Sequence, residues 1–346
     1  MRAVVFAGTG RVELRDVPAP ELLDPGDAVI RVEATGICGS DLHFFNGKAP
    51  LEDGDVMGHE AVGIVEEVGP DVRRFGTGDR VAVSFAIACG SCWFCRRGQT
   101  QLCEQSRILG AGAFGGSLPG TQAERVRVPV ADVNLLALPV EIDDEAGVFV
   151  GDVLATATGA AAIADPANGE VVAVVGCGPV GVLVVQSLRL RGAERILAFD
   201  RVSGRLDLAA AAGAEPVDVR ARNPHMAAAA ATGDRGVDVG IECVGHPDAF
   251  ETALDVVRRG GRVVVAGMYA GETIDAQLGA WWARALDLRF MGPCPVHAWW
   301  ERALGNLVDG AVDPRPLVSH RFRLDDAGRG YEAFDAHEAT KVVLRP

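Results

Sequence analysis

Glu170-Val-Val-Ala-Val-Val175 leads directly into Gly176-Cys177-Gly178-Pro179-Val180-Gly181, and a second apolar run, Arg195-Ile-Leu-Ala-Phe199, ends on Asp200. Taken alone, G-x-G-x-x-G is weak evidence. Here a buried strand precedes it, a helix with Val182, Val185 and Leu188 on one side follows it, and an acidic residue stands about 20 positions on. That combination is the dinucleotide-binding fingerprint of a doubly wound parallel sheet. Gly176 permits the tight turn, Gly178 lets backbone approach a pyrophosphate, and Gly181 lets the helix lie close to the strand. Pro179 and Val180 open that helix, whose positive end faces the phosphates. Asp200 would accept hydrogen bonds from the adenosine ribose hydroxyls, which favours NAD. Arg201 and Arg205 follow it, and such cations can accommodate a 2′-phosphate, so NADP stays as the alternative.

Helical and strand periods then alternate: helix over 203–212, strand over 215–219, helix over 224–231, strand over 237–244, helix over 247–258, strand over 262–266 and a closing strand over 286–291. The alanine run at 227–231 is helix-forming composition. Before the fingerprint, 154–164 is small and apolar without charge or proline, and reads as a helix joining two domains. The nucleotide-binding domain is therefore expected over 154–292. Beyond Pro293, a helix over 299–307 and a strand over 341–344 show no nucleotide pattern; the segment 293–346 is expected to return to the domain formed by 1–153.

That first domain is built differently. Arg11-Val12-Glu13-Leu14-Arg15 alternates polar and apolar residues, and further short strands at 28–33, 61–65 and 80–83 are parted by glycine turns. Such a pattern predicts a small, irregular β-barrel. Two groups of metal-ligating residues lie in its turns. Cys89-Gly-Ser-Cys92-Trp-Phe-Cys95 with Cys103 forms a C-x2-C-x2-C-x7-C lobe over about 89–103, and four thiolates so spaced close around a structural zinc. An iron–sulfur cluster is the rival, although its usual run ends C-x3-C-P. The second group is Cys38-Gly39-Ser40-Asp41-Leu42-His43 with Gly58-His59-Glu60. A catalytic zinc keeps about three protein ligands and one open position, so Cys38 and His59 leave one to be found, and Asp152 in Val150-Gly151-Asp152-Val153 is the candidate. Ser40 and His43 add a hydroxyl and a second imidazole, a route for a proton. The isolated Cys177, Cys243 and Cys294 read as small buried hydrophobes.

The 346 residues carry a formal charge of −14, which argues against a nucleic-acid surface and against an anionic membrane. No apolar run approaches the roughly 20 residues that span a bilayer, and Met1-Arg2-Ala3-Val4-Val5-Phe6 lacks a signal-peptide core. A cytoplasmic location is expected. The eight cysteines then read as ligands or buried thiols rather than as disulfides.

With both metal groups and the fingerprint in hand, the chain resembles the zinc-dependent alcohol dehydrogenases of the medium-chain dehydrogenase/reductase superfamily over essentially its whole length. The carriers are Gly36-Ile-Cys38-Gly-Ser-Asp41, Gly58-His59-Glu60-Ala-Val-Gly63, Gly78-Asp-Arg-Val81, the cysteine lobe and Gly176 to Gly181. The resemblance implies an α/β protein: a GroES-like catalytic domain from both chain ends, with a Rossmann domain inserted between them. It implies two zinc ions per chain, one structural and one held by Cys38, His59 and Asp152, with Glu60 beside it as an alternating ligand. Other branches use cysteine or glutamate where this chain has Asp152. Ser40 would take the proton of the alcohol and pass it through the nicotinamide ribose to His43, while Asp41 would orient His59. Phe85 would line the substrate pocket and Lys341 would contact the pyrophosphate. Gly39 stands where many relatives carry arginine.

The reaction implied is reversible hydride transfer between a primary or secondary alcohol and NAD, giving aldehyde or ketone. Cys-Gly-Ser-Asp-Leu-His is also similar to polyol (sorbitol- or butanediol-type) dehydrogenases. The Gly151-Asp152 region is similar to glutathione-independent formaldehyde dehydrogenases. Analogy favours a homotetramer over a dimer. A non-catalytic zinc and nucleotide binder is the reading from a different class; it predicts loss of Ser40, His43 or a ligand, and none is lost.

Overall fold

The two N-terminal strands pair: β1 (Arg2–Phe6), buried from Ala3 to Phe6, and the alternating, half-buried β2 (Val12–Asp16) form an antiparallel hairpin. The structure, a computed structural model describing residues 1–346, continues with β3 (Ala28–Ile37), α1 (Asp41–Phe45), β4 (Glu60–Val68) and β5 (Arg80–Val83). The cysteine lobe follows between β6 (Ala86–Ile87) and β7 (Arg107–Ile108), which pair with each other. Then come β8 (Arg125–Val128), α2 (Ala131–Asn134), β9 (Leu135–Ala137) and α3 (Asp144–Gly147). The next helix, α4 (Val153–Ala164), carries the chain out of the first compact unit, residues 1–155 with 295–346, into the second, 156–294.

In the second unit, β10 (Val171–Val175), α5 (Pro179–Leu190), β11 (Arg195–Asp200), α6 (Ser203–Ala211), β12 (Glu215–Asp218), α7 (Pro224–Thr232), β13 (Val237–Glu242), α8 (Pro247–Val256), β14 (Val257–Val265), α9 (Leu278–Ala283) and β15 (Asp287–Phe290) alternate. All neighbouring strands are parallel, in the order β12-β11-β10-β13-β14-β15, so the sheet winds both ways from β10. Every residue of β10 and β13 is buried, as expected of strands covered on both faces. Val171, Ala173 and Val175 share one face with Leu197, Phe199, Val263 and Val265, and Phe250 and Leu254 of α8 pack on it. The largest boundary difference from the sequence reading lies here: α8 stops at Val256, and β14 begins at Val257 rather than near 262. The adjacent β-branched Val256 and Val257 favour extended backbone, and Val257 adopts it at φ −81°, ψ 139°.

The chain then re-enters the first unit through α10 (Val296–Val308), β16 (Val318–Arg323), α11 (Ala327–Asp335) and β17 (Lys341–Arg345). There a seven-stranded sheet runs β16-β17-β3-β4-β5-β9, with β8 also on β3. The first half of β3 pairs with β8 and the second half with β17, while β4 covers its other edge throughout. Register shifts at Val29/Ile30 and Val32/Ala34 bend β3 where it changes partner. Ile30, Val32, Val65, Val81, Val126 and Leu135 fill the core beneath that bend. A GroES-like sheet in the first unit and a Rossmann sheet in the second make up the α/β architecture read from the sequence. No helix is long and apolar enough to cross a membrane.

Candidate active site

Strand register brings the first metal group together. Gly36 of β3 lies opposite Glu60 of β4, so Cys38, just past β3, meets His59, just before β4. Asp152 enters from the turn before α4. Donor atoms of Cys38, His59, Glu60 and Asp152 all lie within 4.8 Å of one another. Asp152 Oδ2 is 3.5 Å from Cys38 Sγ and 3.2 Å from His59 Nε2, and Ser40 Oγ is 3.2 Å from the same Nε2. Behind the ring, His59 Nδ1 is 3.0 Å from Asp41 Oδ1, and Asp41 Oδ2 accepts from Cys38 N (2.9 Å). One buried carboxylate thus fixes both the imidazole and the backbone of the cysteine. His43 sits one turn into α1, half-buried, its N–H donating to Ser40 O (3.1 Å). The Phe85 ring is 5.9 Å from the His59 ring, and Phe85 N donates to Gly151 O (3.2 Å).

Burial pushes the Cys38 thiol above its ordinary pKa, and the charges of Asp152 and Glu60 add to that push. Burial pulls His59 down, but the Asp41 charge and hydrogen bonds to Asp152 and Asp41 outweigh it and leave the imidazole well above its usual value. Burial also raises Glu60, against the opposing charge of Lys341. A thiol, an imidazole and two carboxylates crowded in a dry space are mutually unfavourable unless a cation joins them. Glu60 Oε1 is buried and takes no hydrogen bond. The donor set and this idle oxygen fit a divalent metal, and the S, N, O combination suits zinc.

The cysteine lobe supplies a second set. The ligand atoms of Cys89, Cys92, Cys95 and Cys103 also lie within 4.8 Å of one another, with Cys89 Sγ 3.9 Å from Cys95 Sγ. Backbone N–H groups of Ser91 and Cys92 point at Cys89 Sγ, and those of Cys89 and Gln105 at Cys103 Sγ. Although burial opposes it, the donors from Ser91 and Cys92 bring Cys89 down to about 6. Burial pushes Cys95 the other way, up to about 12, so the four sulfurs are thiolates together only around a cation, which fits a closed tetrahedral metal site.

In the second unit the glycine turn has the shape a pyrophosphate needs. A Cβ on Gly181 would stand 1.8 Å from Gly176 O, whereas one on Gly178 would meet nothing within 4 Å. Helix and turn are thus in contact while the backbone at 178 stays open, and the turn fits a dinucleotide. Pro179 is the first residue of α5, with Val180 next to it. Asp200 Oδ2 accepts from Cys177 N (2.7 Å), and Oδ1 accepts from Arg201 N (2.7 Å) and Val202 N (2.8 Å). Three backbone bonds leave about one of roughly four acceptor sites for ribose, so Asp200 is first a clamp on its own turn. Arg201 is exposed, and Arg205 is half-buried with an Nε that makes no hydrogen bond.

Lys341 departs from the expectation of a pyrophosphate contact. Its side chain has no exposed surface, and its ammonium donates to Glu60 Oε2 in a fully buried ion pair. Sequence reasoning also misses the buried groups beneath the metal site. Thr35 Oγ1 donates to Glu60 O (2.6 Å), and Gln122 joins Gly36 O (3.2 Å) to Tyr331 Oη (3.0 Å). Single polar residues far apart in the chain carry no spacing signal that could have singled them out.

A family model for the alcohol dehydrogenase GroES-like domain matches residues 24–139, and one for zinc-binding dehydrogenases matches 179–291. The chain is 38% identical over 349 residues to the probable zinc-binding alcohol dehydrogenase of Mycobacterium tuberculosis, covering 100% of this chain and 89% of that protein. The solved alcohol dehydrogenase of Thermus sp. ATN1 is similar at TM-score 0.94 and 42% identity, over 100% of this chain and 99% of that one. A protein described as a zinc-binding dehydrogenase of Sinorhizobium meliloti 1021, solved bound to NADP, reaches TM-score 0.87 and 32% identity over 100% and 99%.

Proposed function

Since the chain belongs to the zinc-dependent alcohol dehydrogenases of the medium-chain dehydrogenase/reductase superfamily, and is thus an oxidoreductase acting on CH–OH groups, we propose that it moves hydride reversibly between a primary or secondary alcohol and NAD. The observation that carries this reading is the convergence of Cys38, His59, Glu60 and Asp152 within 4.8 Å, with the Ser40 hydroxyl 3.2 Å from His59 Nε2. When bound, zinc supplies a Lewis acid that acidifies the alcohol, and the nicotinamide supplies the hydride acceptor. Cys38, His59 and Asp152 hold the metal, and Asp41 keeps His59 in the tautomer that offers Nε2. Ser40 Oγ accepts the proton of the substrate hydroxyl, and His43 delivers it toward solvent. Phe85 gives the substrate an apolar wall. Gly176, Gly178 and Gly181 admit the pyrophosphate, and the remaining acceptor site of Asp200 takes a ribose hydroxyl. Cys89, Cys92, Cys95 and Cys103 hold a structural zinc.

NADP remains the alternative cofactor, supported by Arg205 and by the NADP carried by the Sinorhizobium relative. Polyols and formaldehyde are the alternative substrates. The test is nicotinamide reduction by the zinc-loaded protein with NAD and NADP in parallel, across primary alcohols, secondary alcohols, polyols and formaldehyde. The expected result is chelator-sensitive turnover with NAD on one class. Turnover with NADP alone would show that Arg201 and Arg205 outweigh Asp200. No hydride transfer by protein that holds both zinc and nucleotide would favour a non-catalytic binder.

A further inference from the structure

Three neighbouring strands bring together a group the reaction scheme leaves unused. Lys341 begins β17, Gly36 lies near the end of β3, and Glu60 begins β4; Val343 pairs with Gly36 and Gly36 with Glu60. Gly36 makes the meeting possible. A Cβ there would stand 1.9 Å from Glu60 Oε2 and 3.0 Å from Lys341 Nζ. Both charged side chains are fully buried and paired, with Lys341 Nζ also 5.3 Å above the Phe149 ring.

The chemistry of a working zinc site restricts what Glu60 can do. Four protein ligands would close the tetrahedron and leave no position for an alcohol. Glu60 has a donor oxygen within 4.8 Å of the other three ligands, so something must hold it back. We propose that Lys341 is a positioning residue: by pinning Glu60 through Oε2, it keeps that carboxylate out of the permanent ligand set and the fourth coordination position open. The charges agree. Ionised Cys38, Asp152, Glu60 and Asp41 bring four negative charges, and a divalent metal with Lys341 brings three positive ones. Without Lys341 only two would remain. Glu60 would then be a buried carboxylate whose one cationic neighbour is the metal, and ligation becomes its best recourse.

This inference rests on the metal-site reading, and cobalt substitution separates the two. The probe is cobalt(II), with the Cys38-dependent thiolate-to-cobalt band isolated as the difference from Cys38→Ser. Lys341→Met is expected to shift the d–d absorption at undiminished tetrahedral intensity, as exchange of the open-position water for a carboxylate does, and to slow cobalt release to a chelator by on the order of tenfold. Lys341→Arg restores the wild-type spectrum, as does Glu60→Gln placed on Lys341→Met. Glu60→Gln alone leaves the spectrum at its wild-type form, because a pinned Glu60 is not a ligand. Folded Lys341→Met with a wild-type spectrum and release rate overturns the proposal. So does a changed spectrum in Glu60→Gln alone, and this comparison decides the matter if Lys341→Met does not fold. Absence of any Cys38-dependent band removes the metal site itself, and the role of Lys341 with it.

Discussion

Asp41 faces His59 Nδ1 at 3.0 Å, accepts a hydrogen bond from Cys38 N, and has no exposed surface. Asparagine is isosteric, but it lacks the charge that holds the imidazole by Nδ1–H and raises the basicity of Nε2. Asp41→Asn is therefore expected to fold and to lose about tenfold in zinc affinity at the Cys38 site, measured by chelator competition, with the cysteine lobe unaffected. At this scale the legibility of the site follows chain distance. Cys38, Ser40, Asp41 and His43 lie in one turn and helix, and His59 and Glu60 are adjacent, so residue type and spacing single them out. Lys341 lies 281 positions from Glu60, and its partner is decided by the register of three strands. A lysine in a terminal strand looks the same in sequence whether it faces a phosphate or a buried carboxylate. Asp200 shows the same limit. Its place after β11 is legible, whereas its three backbone donors appear only once the turn is folded.

Among the elements, α10 is tied to the cysteine lobe by one half-buried histidine. His297 Nδ1 is 2.9 Å from Thr100 Oγ1 and Nε2 is 3.0 Å from Asn134 Oδ1. Asn134 Nδ2 faces the carbonyls of Ala88, Pro129 and Val130, which fixes Oδ1 as the acceptor and assigns the His297 proton to Nε2. Burial holds this imidazole at about 4, so it is neutral in the folded protein near pH 7. Because the unfolded chain takes up the proton first, the stability His297 contributes is complete above its ordinary value of about 6.5 and is lost as pH falls through about 4. The loss amounts to about 3 kcal/mol at most. Urea midpoints measured across that window should fall more steeply for the wild type than for His297→Gln. Equal slopes would place the titration elsewhere. Strands and helices with a strong period are legible from sequence, including β5, α5 and β10. The changing partnership of β3 is not, because β8 and β17 are both short strands whose length suits either half of it.

At the scale of the whole molecule, β15 ends the parallel sheet with its outer edge unpaired and Phe290 67% exposed. Trp282 and Leu278 of α9 are exposed as well. An open edge carrying the exposed Phe290 ring can take a strand from a second copy, and that is where the homo-oligomer expected from the sequence would form. Phe290→Lys is expected to shift the sedimentation profile toward monomer with zinc content unchanged; an unaltered profile would move the contact off this edge. The placement of β17 has a consequence for biosynthesis. Cys38, His59, Glu60 and Asp152 all leave the ribosome before the nucleotide-binding unit, and Lys341 leaves after it. At about 5–20 residues per second, the thiol and the three acidic and basic donors wait on the order of tens of seconds for the strand that completes their sheet. During that time Glu60 lacks the lysine that pins it in the finished sheet, so the donor set offers four ligands to whichever metal arrives first. The order of translation thus makes the nascent chain, rather than the finished enzyme, the stage most vulnerable to mismetallation.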